Sequence, residues 1–306
     1  MKKRNGLLEI YRFILSFWPM YCHNFFFLEN RGVTFSVPEL APDFFFVLSG
    51  FFLLNSFRKN TEEPTLLRMV KLVYGRAKPL LFSVCFIASF NFLCIGLFLR
   101  DDVFNSLFMM FRYWWYILYL LIALAIFFII YKGIKNEKLF GVFLGALAVL
   151  MALLHYSIQH KGFLSYEFGF PARTFGCMAV GMLVSYIPKF KTKRFNISVI
   201  PVVILFSALM YLAYAEKDYI ICLIMIVMFA ALVYFSSNIS VGGIVFDILG
   251  HLGTRMYLYM SFVTTLYLLG LTNHRILFVI DVALSVLDML IYHYRKKSQD
   301  LTPRNS

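Results

Sequence analysis

Charge is scarce in this chain. Asp, Glu, Lys and Arg make up 15% of its 306 residues and hydrophobic residues 61%, with a mean hydropathy of +0.76. Soluble domains run near 45–50% apolar and roughly 25% charged, so a single water-soluble core is excluded as the destination of this much apolar surface. Acid is scarcer than base, 16 residues against 29, which leaves a formal charge of +13. That balance would suit nucleic acid, but the basic residues sit in short clusters between apolar runs. This is the pattern of a membrane protein, and no nucleic-acid partner is expected. The five cysteines, Cys22, Cys85, Cys94, Cys177 and Cys222, lie inside apolar stretches without metal-ligand spacing. They read as small buried hydrophobes, and no metal is expected. No Gly/Ser-rich or Pro-rich linker interrupts the chain, so residues 1–306 read as one integral membrane domain. No internal repeat and no matched pair of broken spans is visible, which argues against the inverted-repeat transporters. A signal peptide is not expected either: the apolar run after Lys2, Lys3 and Arg4 is interrupted by Glu9 and Arg12, and no small-residue cleavage site follows.

Long apolar runs, by contrast, are abundant. Stretches near the spanning length of about 20 residues recur at 7–28, 42–57, 79–99, 114–131, 139–156, 172–187, 197–215, 219–236, 251–270 and 275–292. The expected fold is therefore all-α, a polytopic membrane helical bundle of about ten transmembrane helices. The 36 Phe, 19 Tyr and 3 Trp supply lipid-facing and interfacial bulk. With the N-terminus placed in the cytoplasm, 20 of the 29 Lys and Arg residues fall in inward segments and seven in outward loops, while Arg12 and Arg255 fall within or beside spans. Both termini are therefore expected to be cytoplasmic.

A charged group at the centre of a span costs roughly 2.5–3.5 kcal/mol on insertion scales, so each needs a reason. The first span carries Glu9 and Arg12 near its inner end and His23 in its outer part. Eleven residues separate Arg12 from His23, so both project from one helix face, with His23 about 16 Å further along the axis. Arg12 alone can snorkel to the interface and His23 alone can pack on a polar neighbour; two on one face point to function. In the second span Pro42 and Asp43 suit a helix start, and Ser49-Gly50 is a small pair that lets a helix or a ligand approach closely. Asp247, His251 and Arg255 fall at four-residue spacing, which reads as a structural ion-pair network before the alternative, the lining of an entrance from the inner side, and Asp281 and Asp288 are placed to face an interior. Glu167 and Arg173 read as part of an outward loop near His155 and His160.

At these residues the sequence resembles the membrane acyltransferase-3 family, integral membrane O-acyltransferases of bacterial surface glycans. Arg12 and His23 match the family's basic residue, ten residues, then histidine. Asp43-Phe44-Phe45-Phe46-Val47-Leu48-Ser49-Gly50-Phe51 matches its acidic, Phe-rich run into Ser-Gly-Phe. Arg76-Ala77-Lys78-Pro79, Trp114-Trp115-Tyr116, Pro171 to Tyr186, and Leu249-Gly250 followed by Met256-Tyr257-Leu258 are similar to later family features in order. There are departures: Val73 stands where many relatives have a second basic residue, 114–131 holds no acidic residue, and Tyr259-Met260-Ser261 lacks the usual late histidine.

The resemblance implies transfer of an acyl group, acetyl being usual, from a cytosolic acyl-CoA (acetyl-CoA) to a hydroxyl of a surface or exported glycan. It also implies a bacterial cytoplasmic (inner) membrane location. Such chemistry needs a site for an anionic nucleotide, a base for the hydroxyl and stabilisation of the oxyanion. His23 is expected as the base and Arg12 as a second catalytic residue on the same helix face, with a covalent acyl-histidine as a variant. Arg12, Arg76, Lys78 and Ser49 are expected on the donor side, the six basic residues of Arg58 to Lys78 forming a phosphate cradle. Asp43, Glu167 and Arg173 are expected on the acceptor side. The partners implied are acyl-CoA, a glycan or lipid-linked glycan and membrane lipid, with no permanently bound cofactor. The competing reading is a transporter or flippase for a lipid-linked glycan or small anion, using the same cation and histidine; a catalytically dead scaffold is a third.

Overall fold

The computed structural model describes residues 5–21, 40–59, 64–94, 115–161, 169–188, 204–208, 219–239 and 242–301. Among these the only regular structure is helical: α1 Gly6–Tyr21, α2 Leu40–Phe57, α3 Thr65–Cys94, α4 Trp115–Gly133, α5 Glu137–Lys161, α6 Gly169–Val184, α7 Tyr219–Ser237, α8 Ile244–Leu268 and α9 His274–Leu301, with a further short helical stretch at 204–208. His23, Glu167 and most of the expected 197–215 span lie outside the described residues.

Several boundaries follow from local chemistry. Asn5, Asn136 and Asn273 each place Oδ1 on two successive backbone N–H groups at the start of α1, α5 and α9, at 2.9 to 3.4 Å. These caps satisfy donors that no preceding turn can reach. At the end of α8, Gly270 sits at φ +100°, Leu271 N–H donates to Leu266 and Gly270 N–H to Tyr267. That paired closure needs a left-handed residue, and glycine adopts it without a Cβ clash.

Among the described residues four helical stretches are long and apolar enough to cross a bilayer, Thr65–Cys94, Trp115–Gly133, Glu137–Ile158 and His274–Tyr294, and Ala41–Phe57, Gly169–Val184 and Leu223–Ser237 are shorter apolar helices. Large apolar side chains such as Val142, Leu153, Val227 and Val279 are exposed, a surface suited to lipid. Hydroxyls of Thr174, Thr264 and Thr265 donate to the carbonyls four residues before them, which satisfies them without water.

The chain divides into two compact units: residues 1–33, 77–114 and 242–306 form one, and 34–76 with 115–241 the other. The division falls within α3, just before Pro79, whose missing N–H removes one bond of the helix ladder. In the first unit α8 packs on α1 and α9. In the second, α6 packs on α2, α4, α5 and α7. The pairing of α2 with α6 is close because glycines meet it from both sides. A Cβ on Gly50 would run into the Met178 carbonyl oxygen, 2.9 Å from its carbon, and one on Gly181 into the Val47 carbonyl, 2.8 Å from its carbon. Small residues at such crossings let helix backbones touch. The uniformly apolar α2 is correspondingly enclosed, with Phe44, Phe46, Val47, Leu54 and Phe57 essentially inaccessible.

Candidate functional site

In the first unit Arg12 does not snorkel away from the helix packing. Its Nη1 donates to both Glu9 oxygens, at 3.2 and 2.9 Å, and its Nη2 to Thr254 Oγ1 of α8 at 3.1 Å. Glu9 is one turn earlier on the same helix face, the spacing at which side chains meet, and its side chain is 9% exposed against 28% for Arg12. The carboxylate lies against Gly250, where a Cβ would strike Oε2 and come within 2.6 Å of Cδ.

A second polar cluster of this unit sits among α3, α8 and α9. Arg255 Nε lies 3.5 Å from Asp288 Oδ2, and Ser83 Oγ donates to the same oxygen. Asp281 is fully buried one heptad before Asp288, with Ser285 donating to it at 3.4 Å. The guanidinium of Arg255 also lies 4.8 Å from the centre of the Tyr292 ring, and its Nη1 donates to the His251 carbonyl. The expected network of Asp247, His251 and Arg255 is thus rearranged: α8 begins early enough to align them, but the buried partner of Arg255 is Asp288 on α9.

In the second unit Asp43 and Arg173 form an ion pair. Arg173 Nε donates to Asp43 Oδ1 at 3.1 Å and Nη2 to Oδ2 at 2.6 Å, with side chains 6% and 1% exposed for Arg173 and Asp43. This bidentate fork is the strong geometry for arginine and carboxylate. Cys177 lies one turn on, its Sγ 3.6 Å from Asp43 Oδ1. Arg173 is therefore not in an outward loop: it is in α6, which begins at Gly169, and His155 is in α5, against Gly169. The expected span of 172–187 already reached Arg173, and the helix begins three residues earlier, at Gly169.

The basic stretch from Arg58 to Lys78 also differs from a loop cradle, because α3 already begins at Thr65. Arg58 pairs with Glu137 at 3.0 Å. Arg68 is buried, and its Nη2 donates to the carbonyls of Ser56, Phe57 and Lys59 where α2 ends, a cation answering the negative end of a helix. Arg76 and Lys78 are exposed on α3, and Ser49 is half-buried on α2. Among the described residues no group of three or more His, Cys, Asp or Glu is placed to hold a metal ion. Thr254 and Ser83 went unrecognised in the sequence because a hydroxyl within an apolar helix carries no signal of its partner.

An all-helical chain with bilayer-length helices and charged pairs enclosed among them is a polytopic membrane protein. Its chemistry is that of a family: residues 8–290 match the acyltransferase-3 model, an acyltransferase domain. The chain belongs to the acyltransferase-3 family and is an integral membrane acyltransferase. Comparison with curated proteins and with solved structures gave no match.

Proposed function

We propose that the protein is an O-acyltransferase that moves an acyl group, acetyl in the first instance, from a cytosolic acyl-CoA to a hydroxyl of a surface or exported glycan. It does so from a bacterial cytoplasmic membrane that it crosses about ten times with both termini inside. The observation that carries this reading is the family match over residues 8–290. His23 takes the proton of the acceptor hydroxyl as that oxygen attacks the thioester carbonyl. The C–O bond forms, the C–S bond breaks, and the leaving thiolate takes the proton from the imidazolium. Arg76 and Lys78, exposed on α3, serve the donor's phosphates, and Ser49 lies on the donor's path. Glu167 and the Asp43–Arg173 pair belong to the acceptor side, where the pair acts as one fixed unit that shapes the surface.

The test is release of free thiol from acetyl-CoA by the purified protein in lipid, wild type beside His23→Ala. Release that disappears in a folded variant supports the assignment. Equal release removes His23 from the reaction. No release from either, across several acyl-CoA donors with glycan acceptors added, favours transport of a lipid-linked glycan or small anion.

A further inference from the structure

The guanidinium of Arg12 is held from two sides, and each hold has its own provision in α8. Thr254 is oriented to accept. Its hydroxyl hydrogen is committed to the Gly250 carbonyl, 3.2 Å away and one turn earlier, which turns a lone pair toward Arg12 Nη2. Gly250 provides the second hold, because only a residue without a side chain leaves room for the Glu9 carboxylate that receives Nη1. The backbone is registered as well: a Cβ on Gly253 would lie 3.0 Å from Phe13 Cα and 3.3 Å from the Arg12 carbonyl. Nε–H and the second Nη2–H remain without a hydrogen bond among the described residues, on a side chain that is 28% exposed. An arginine meant only to reach the interface needs none of this. Long side chains at span ends ordinarily satisfy themselves with headgroups and water, and a packed helix crossing needs no hydroxyl aimed at a cation.

We propose that Glu9 and Thr254 are positioning residues for Arg12: they fix its guanidinium so that its remaining N–H groups face the acyl donor, with Gly250 as the gap that admits Glu9. The inference rests on the reading of Arg12 as part of the acyl-transfer site. A donor group set in advance avoids reorganisation when the substrate arrives, and a guanidinium held on both sides loses little rotamer freedom on binding.

The experiment measures acetyl-CoA thiol release in lipid for Thr254→Val, Thr254→Ser, Gly250→Ala, Arg12→Lys and the pair Arg12→Lys with Thr254→Val, each with its thermal unfolding. Thr254→Val keeps the side-chain shape and deletes the acceptor. It is expected to lower kcat/KM about tenfold or more, the scale of a hydrogen bond to a charged group, without a matching loss of thermal stability. Thr254→Ser restores the rate. Gly250→Ala pushes the Glu9 carboxylate aside with its chemistry intact and lowers the rate in the same direction. In the Arg12→Lys background the Thr254→Val change has little further effect, because a residue that acts through Arg12 has nothing left to position. Wild-type rates in both Thr254→Val and Gly250→Ala overturn the proposal, as does a Thr254→Val loss of equal size in the Arg12→Lys background. If Arg12→Lys is itself fully active, or wild type releases no thiol, the underlying reading of the site fails and the positioning role goes with it.

Discussion

Asp43→Asn should unfold far more readily than its small change in shape suggests. The Asp43 carboxylate answers two N–H groups of Arg173, at 3.1 and 2.6 Å, in a place where neither side chain reaches solvent to more than 6%. Removing its charge takes the carboxylate away from an enclosed guanidinium. Breaking a buried pair by losing one partner costs about 3–5 kcal/mol, and Cys177, whose sulfur lies 3.6 Å from Oδ1, carries no charge to compensate. Arg173→Met should cost a similar amount, since it removes the cation from an enclosed carboxylate. The double variant, Asp43→Asn with Arg173→Met, should be more stable than either single one, because neither charge is then left alone. Denaturant unfolding of the four proteins in mixed micelles measures this cycle. Wild-type stability of both single variants, or a double variant that loses the sum of the two, would refute the claim that this pair is a desolvated unit holding α2 to α6.

Three further outcomes follow from the same contacts. Gly50→Ala and Gly181→Ala each push a methyl into a backbone carbonyl of the facing helix, and each should cost at least about 1–3 kcal/mol, read as a drop in thermal unfolding temperature. Gly270→Ala, at φ +100° in open space, should cost about 1 kcal/mol through backbone strain alone, with thiol-release activity unchanged. Glu137→Gln breaks the Arg58 pair, whose side chains are 31% and 50% exposed; it should change stability by no more than about 1 kcal/mol, in contrast with Asp288→Asn, which strands the enclosed Arg255 and should destabilise severely.

Apolar length placed most of the described helices within a few residues, from 42–57 against Leu40–Phe57 to 275–292 against the start of α9 at His274, because an apolar segment in lipid must satisfy its backbone within itself. The α3 helix was only half visible, since its first turns from Thr65 carry Arg68, Lys71 and Arg76 and read as a polar loop. The residue types of the candidate site were legible for the same reason that charge is costly in a span. Arg12, Asp43, Arg173, Arg255, Asp281 and Asp288 stand out in apolar surroundings, and the order of motifs around Arg12 and His23 led to the acyltransferase-3 family, which the match over 8–290 then showed. What the sequence by itself determined was thus the helical class, the family and which side chains demand partners. Only the tertiary structure decided who those partners are: Glu9 and Thr254 for Arg12, Asp288 for Arg255, Arg173 for Asp43. The physical reason is that composition and spacing act along one helix, whereas an ion pair between helices depends on register and on the glycines that let two backbones close upon each other.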